Sequence, residues 1–356
     1  LGQSIWLDFI RRTFLTSGDL KNLVDRGIHG VTSNPSIFEK AIARSDDYDD
    51  QFGLLVKEGL SVTGIYEQLA FKDIRMAADI LRPVYDRTQG ADGYVSLEVS
   101  PTLADDTAGT LAEAERLFTT LGRPNVMIKI PATQAGFPAI EAAIGRGINI
   151  NVTLIFSIEQ YEAVVEAYLG GLEKLSLTSQ DLSRVASVAS FFVSRVDSMV
   201  DQALAEIEGG EALMGKIAVA NACAAYARFK ELFSGARWDA LVEKGARLQR
   251  PLWASTSTKN PAYSDTLYVD NLIGAHTVNT LPPATLEAFL DHGQVAGTLE
   301  HGCKQARETL AALAETGIDL DVITRRLLDD GVDAFARSFH KLIESIEMKR
   351  KGSHEG

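Results

Sequence analysis

Asn125-Val126-Met127-Ile128-Lys129-Ile130-Pro131-Ala132-Thr133 is an apolar run with one lysine at its centre and a proline near its end. Val126, Met127, Ile128 and Ile130 show no polar alternation. The segment therefore reads as a short strand buried on both faces, the pattern of a parallel sheet covered by helices. Lys129 then stands where its ammonium has little water around it. Burial disfavours the charged form and draws a lysine pKa downward. A free amine facing a carbonyl compound forms a Schiff base. The plainer reading is a lysine ion-paired inside the sheet, or one that snorkels out at the strand end.

Outward from this run, apolar strand-like segments alternate with helical ones along most of the chain. Strands are expected at 4–9, 27–34, 94–99, 126–131, 148–156 and 186–193, with weaker signals at 251–255 and 277–280. Helical patterning fills 19–26, 35–57, 62–87, 105–121, 135–146 and 158–175. It continues from the sixth strand to about 233 and dominates from 285 onward. Repeated βα units imply parallel strands, and eight of them fit a closed (β/α)8 barrel of the α/β class. A doubly wound open sheet is the alternative, but no GxGxxG follows the first strand and no GxxxxGK[ST] occurs. No linker rich in proline, glycine or serine divides the chain. Residues 1–356 are read as one barrel domain, with 285–350 as a C-terminal helical region packed on it.

Composition narrows the class. Of 356 residues, 46% are hydrophobic and 23% charged, as in a soluble globular protein. Thirty-five basic against 48 acidic residues give a net charge of −13, which argues against nucleic acid as a partner but not against a small local anion site. Cys223 and Cys303 lack CxxC spacing, so neither a disulfide framework nor a zinc site is expected, and a cytoplasmic protein follows. None of the six histidines lies in HxxxH or HExxH spacing, so no metal is expected. No apolar run reaches the length of a membrane span, and no signal-peptide pattern opens the chain. The chain opens on Leu1 rather than methionine, which leaves its natural start open. The acidic run 45–50 lacks the glycine and terminal glutamate of an EF-hand loop and reads as a solvated loop or helix start. Met214, Ile217, Ala218, Ala222, Ala225 and Phe229 recur at helical spacing and read as core, with a dimer face as the second reading. Monomer and homodimer both stay open.

In a (β/α)8 barrel the chemistry gathers at the C-terminal ends of the strands. Asp8 ends the first apolar run, and Thr32, Ser33 and Asn34 end the second. Glu98 lies in the third, Lys129 in the fourth, Asn151 and Thr153 in the fifth. Ser190 and Arg195 close the sixth and Ser255 the seventh. Each has a dull explanation alone: Asn34-Pro35 is a turn opener, Asp8 a helix cap, Arg195 a surface ion pair, and Glu98 and Lys129 a neutralising pair. Their recurrence at nearly every strand end is what those explanations omit. Buried polar groups are costly unless satisfied, so a mouth lined with them points to a site.

The motifs in order give a family. They are Trp6-Leu7-Asp8, Gly30-Val31-Thr32-Ser33-Asn34-Pro35-Ser36, Leu97-Glu98-Val99 and Ile128-Lys129-Ile130-Pro131-Ala132-Thr133. Two more follow, the run from Gly147 through Asn151-Val152-Thr153 to Ser157, and Ser190-Phe191-Phe192-Val193-Ser194-Arg195. Together they resemble transaldolase over roughly residues 4 to 280. The resemblance implies a class I aldolase-type barrel without metal or organic cofactor. It implies transfer of a dihydroxyacetone unit from a ketose phosphate (fructose 6-phosphate or sedoheptulose 7-phosphate) to an aldose phosphate (erythrose 4-phosphate or glyceraldehyde 3-phosphate) in the pentose phosphate pathway. On this resemblance Lys129 falls on the Schiff-base lysine and Asp8 on the base for the C4 hydroxyl. Glu98 falls on the acid/base that works through a water held with Thr153. Thr32, Asn34 and Asn151 match side chains around the substrate hydroxyls and the lysine, and Ser190 and Arg195 match residues at the mouth, where Arg195 binds phosphate. Ser33 and Ser255, polar groups at strand ends, join the expected substrate-binding set.

One departure stands out. Where the familiar form of the family has Ser-Phe-Arg, this chain has Ser255-Thr256-Ser257, with Lys259 two residues on. Ser257 takes the arginine's place, and Lys259 is either the replacement charge or a surface lysine. The run 268–272 and the longer C-terminal region suggest a bacterial branch. A fructose 6-phosphate aldolase, which releases free dihydroxyacetone, is the second enzyme reading. A barrel that binds a sugar phosphate without turning it over is the non-enzymatic one.

Overall fold

The computed structural model describes residues 1–43 and 45–352, without the side chains of His301, Cys303 and Lys304. Eight parallel strands close on themselves in chain order: β1 (Gln3–Leu7), β2 (Ile28–Val31), β3 (Tyr94–Glu98), β4 (Val126–Pro131), β5 (Ile150–Ile155), β6 (Ser187–Phe192), β7 (Arg250–Ala254) and β8 (Thr277–Leu281). β8 returns to β1 with Gln3 beside Thr277 and Leu7 beside Leu281. This is the (β/α)8 barrel expected from the alternation. Every residue of β3, β4, β5, β6 and β8 is buried, because helices cover one face and the barrel interior fills the other.

The outer layer follows the strands. After β1 come α1 (Arg12–Thr16) and α2 (Asp19–Asp25). After β2 come α3 (Pro35–Ala43), α4 (Asp49–Lys57) and the long α5 (Val62–Arg87). The Ser61 hydroxyl opens α5 by accepting from Gly64 N. α6 (Thr107–Leu121), α7 (Gly136–Gly145) and α8 (Ile158–Ser176) follow β3, β4 and β5. Ser157 and Gln160 form a capping box at the start of α8, which fixes the chain as it leaves the β5 end. α9 (Ser194–Leu204), α10 (Ile217–Leu232) and α11 (Ala236–Val242) lie between β6 and β7, and the short α12 (Leu267–Asn271) between β7 and β8. α13 (Pro283–His292), α14 (Thr298–Glu315) and α15 (Leu320–Gly352) complete the chain.

Three expectations change. The helical stretch at 35–57 is two helices. The acidic run between them is the expected helix start, with exposed Asp49 and Asp50 in the first turn of α4, but Asp47 within it is not solvated. Arg11 Nε donates to it at 2.7 Å, and this bond, aided by Thr13, holds its carboxyl down at about 2. The helical region through 233 is likewise broken after Leu204, where Gly209 and Gly215 take positive φ before α10 begins. The strands expected at 4–9, 27–34 and 148–156 are shorter, leaving Asp8, Thr32, Ser33 and Asn34 just past the last paired residues. α10 meets α8, α9 and α14, so its apolar face lies inside the chain. Among the described residues, no helix is long and apolar enough to cross a membrane.

Candidate active site

Ten of the expected site residues line one cavity at the C-terminal mouth of the barrel: Asp8, Thr32, Asn34, Lys129, Thr153, Ser190, Arg195, Ser255, Ser257 and Lys259. Its volume is about 700 Å³, within the range of about 300–1,000 Å³ usual for small-molecule sites. Glu98, Ser33 and Asn151 stand in the layer behind. Pairing of β3 with β4 sets Glu98 beside Lys129, and pairing of β4 with β5 sets Lys129 beside Asn151.

Lys129 is 4% exposed, so it does not snorkel to solvent. Its Nζ donates to the Ser33 carbonyl at 3.0 Å and lies 3.2 Å from Glu98 Oε2. No donor is aligned on Oε2 as a hydrogen bond, so the contact is an ion pair of poor hydrogen-bond geometry. Burial pushes the Glu98 carboxyl up, and the Lys129 ammonium offsets that only in part. Around this pair the polar groups form a fixed frame. Asn151 Nδ2 donates to Ser96 Oγ at 3.0 Å, and Ser190 Oγ donates to Asn151 Oδ1 at 2.7 Å. Ser33 Oγ donates to the Ser96 carbonyl at 2.7 Å.

Asp8 does not cap a helix: α1 begins at Arg12, and the Asp8 carboxylate accepts from Thr32 Oγ1 at 2.6 Å. Burial raises the Asp8 carboxyl, against the lowering influence of Thr32, Lys129 and Lys259. Thr32 Oγ1 lies 2.7 Å from Thr280 Oγ1, a residue of the eighth strand end that the sequence reading passed over although its own strand-end rule selects it. Thr153 is fully buried, and its hydroxyl has no partner among the described residues. A break in the β5–β6 register lies between Val152 and Ile155, and Leu154 takes a φ of 60°. A left-handed leucine beside a cavity is the kind of local strain that bulges create when they re-aim a neighbouring side chain.

The far wall is cationic. Arg195, in the first turn of α9, lies 5.4 Å from the Phe192 ring and forms no ion pair among the described residues. Burial holds its guanidinium below the usual value. Lys259 Nζ donates to Ser257 Oγ at 2.5 Å. Burial on the cavity side, with Arg195 and Lys40 nearby, lowers the Lys259 ammonium. Lys40, on α3, lines the same cavity, and no local motif marked it. Ser255, with a φ of 55°, places its hydroxyl 3.0 Å from Ser194 Oγ.

The C-terminal helix closes the site from above, which the sequence did not disclose in detail. α15 packs on α3, α5, α9 and β5, and its Phe335 ring lies 5.8 Å from Lys129 Nζ. Gly331 makes that seating possible: a Cβ there would come within 2.9 Å of Leu154 Cδ2. Mid-helix glycine costs about 1 kcal/mol relative to alanine, and here close approach of the helix to the barrel requires it.

A buried lysine beside a carboxylate, a second carboxylate in the same cavity, and Arg195 there without an ion pair among the described residues suit a Schiff-base reaction on an anionic sugar. The profile of the family described as Transaldolase/Fructose-6-phosphate aldolase matches residues 5–346. The chain belongs to that family. A Transaldolase of Trichodesmium erythraeum is 48% identical over 99% of this chain and 96% of its own length. One of Thermobifida fusca is 51% identical over 97% of this chain and 95% of its own. Transaldolase 1 of Streptomyces avermitilis is 50% identical, with 99% and 94% covered. Bacterial relatives so named, alike along nearly their whole length, support a transaldolase enzyme.

Proposed function

We propose that this transaldolase moves a dihydroxyacetone unit from fructose 6-phosphate or sedoheptulose 7-phosphate to glyceraldehyde 3-phosphate or erythrose 4-phosphate through a Schiff base on Lys129. The observation that carries the reading is the buried Lys129 ammonium, held between Glu98 and the Ser33 carbonyl while lining a cavity that Asp8 and Arg195 also line.

The uncharged lysine amine attacks C2 of the ketose. The Glu98 carboxyl, raised by burial, serves as the acid: it gives a proton to the carbinolamine hydroxyl, and water leaves as the C=N bond forms. Thr153 holds that water against Glu98. The iminium draws electrons, so cleavage needs only a base on the C4 hydroxyl, and the Asp8 carboxylate takes that proton. The C3–C4 pair then flows onto the iminium as an enamine, and the aldose phosphate departs. An acceptor aldehyde reverses the sequence: the enamine carbon attacks it, Asp8 returns the proton to the new hydroxyl, and water hydrolyses the iminium. Two carboxylates in different environments thus divide the proton work. Asn34, Asn151 and Ser190 orient the lysine and the sugar hydroxyls. Arg195 forks onto the phosphate, and Lys259 with Ser257 supplies the second cationic contact. The chemistry needs no metal or organic cofactor, and it belongs to a cytoplasmic enzyme of the pentose phosphate pathway.

The family description also covers fructose 6-phosphate aldolase. Mixing the protein with fructose 6-phosphate and erythrose 4-phosphate and assaying both sedoheptulose 7-phosphate and free dihydroxyacetone separates the two. Transfer predicts the seven-carbon product with little free dihydroxyacetone. Free dihydroxyacetone as the main product, regardless of acceptor, contradicts the proposal.

A further inference from the structure

Glu98 belongs to a second cavity. This space, of about 270 Å³, lies beside the barrel mouth between α5, α6 and α15, and it is lined by Glu98, Tyr66 and Glu113 among others. Lys129 lines the substrate cavity and not this one, whereas Glu98 lines this one and not the substrate cavity. The two side chains are 3.2 Å apart, and Asn34 faces both spaces. The Lys129–Glu98 ion pair, with Asn34 beside it, therefore forms part of the wall between the cavities.

The two spaces differ in charge. The substrate cavity carries Arg11, Lys40, Lys129, Arg195 and Lys259. Among the described residues, no lysine, arginine or histidine lines the second cavity, and its charged members are Glu67, Glu98 and Glu113. Arg116, which does not line it, pairs with two of these carboxylates, 2.5 Å from Glu67 and 3.5 Å from Glu113. A sugar phosphate is repelled from such a space, and water is not. At about 30 Å³ of liquid volume per molecule, several waters fit. Tyr66 stands edge-on between Phe38 and Phe339, which fixes its ring. Burial raises both the Tyr66 hydroxyl and the Glu113 carboxyl, so both favour their uncharged, hydrogen-bonding forms over charge in this space.

We propose that this cavity is the water passage of the Schiff-base lysine, with Tyr66 and Glu113 as positioning residues that order water against Glu98. The inference rests on the acid/base reading of Glu98. Carbinolamine collapse breaks the C2–O bond with its electron pair going to oxygen. The Glu98 proton completes the water, the lysine nitrogen lone pair forms C=N, and Glu98 is left as a carboxylate. With the sugar filling the mouth, that water leaves past Glu98 into the second cavity. Hydrolysis runs the same path backwards: a water from the cavity bonds through oxygen to C2 and returns a proton to Glu98. Water then reaches the iminium from one side only, and the enamine stays shielded until the acceptor arrives.

Exchange of the C2 oxygen of fructose 6-phosphate with H2¹⁸O, measured on the full chain without acceptor, reads the passage directly. Thr63→Phe plugs the rim, while Tyr66→Phe and Glu113→Gln keep shape and remove one proton-carrying group each. The proposal predicts that the three lower the exchange rate and kcat by about tenfold with KM unchanged, because none of them touches the sugar. Wild-type exchange in the two isosteric variants, with Glu98→Gln impaired, overturns the passage and leaves the Glu98 role standing. Wild-type exchange in Glu98→Gln overturns both.

Discussion

At the N-terminal end of the barrel the Asp92 carboxylate is met by Trp6 Nε1 at 2.8 Å, Arg250 Nη2 at 3.3 Å, His29 Nδ1 at 3.4 Å and the Ser4 hydroxyl. At the C-terminal end Asp8 has Thr32, and Glu98 has one poorly aligned lysine. Both ends bury carboxyls, and burial pushes all of them up. At Asp92, Arg250, His29 and Ser4 outweigh that push and hold the group below its ordinary value. At Asp8 and Glu98 burial prevails and the groups stay raised. The same cost of desolvation is answered by partners at one end and left standing at the other. The answered end stabilises the barrel. The other keeps two carboxyls able to exchange protons, at some loss of stability.

Four substitutions test that contrast. Lys129→Ala removes the nucleophile, so activity falls by on the order of 10⁴-fold or more while the circular dichroism spectrum and Tm stay near wild type. Asp8→Asn lowers kcat by about 10²–10⁴-fold, since a general base is lost. It still forms the lysine adduct and unfolds no earlier than wild type. Wild-type turnover in this variant removes Asp8 from the mechanism. Asp92→Ala strands the Arg250 charge and loses about 3–5 kcal/mol in denaturant unfolding, with kcat per folded molecule within about twofold of wild type. Lys259→Ala raises KM for phosphorylated substrates about tenfold and leaves kcat alone, because lost uniform binding appears in KM. An unchanged KM returns Lys259 to the surface.

The two ends also respond oppositely to pH. The folded Asp92 carboxyl titrates below its unfolded value of 3.8, so its stabilisation is full above that pH and disappears as pH falls through the lower folded value. The folded Asp8 carboxyl titrates above 3.8. Its burial penalty is absent below the unfolded value, grows as pH rises and is full above the folded value. Unfolding free energy followed against pH therefore loses an acid-side slope in Asp92→Asn and a slope of opposite sign in Asp8→Asn.

The barrel was legible because β3, β4, β5 and β6 are apolar on both faces and nearly every strand ends in a polar group. That rule reaches residues fixed by strand register, such as Glu98, Lys129 and Asn151. It reaches Thr280 too, which its own strand end should have drawn into the set. Lys40 and Phe335 were out of reach. Each sits on a helix whose position over the mouth depends on packing far along the chain, Phe335 on the seating of Gly331 against Leu154. The helix breaks at 45–48 and 205–216 were hidden for a related reason. Asp47 leaves solvent only because Arg11, 36 residues earlier, folds back onto it.

Borohydride reduction of the protein with fructose 6-phosphate, followed by peptide mass spectrometry, tests the central claim most directly. A dihydroxyacetone-sized adduct on Lys129, discharged when erythrose 4-phosphate is added before the borohydride, is the predicted result. An adduct on another lysine, or on none, contradicts the account.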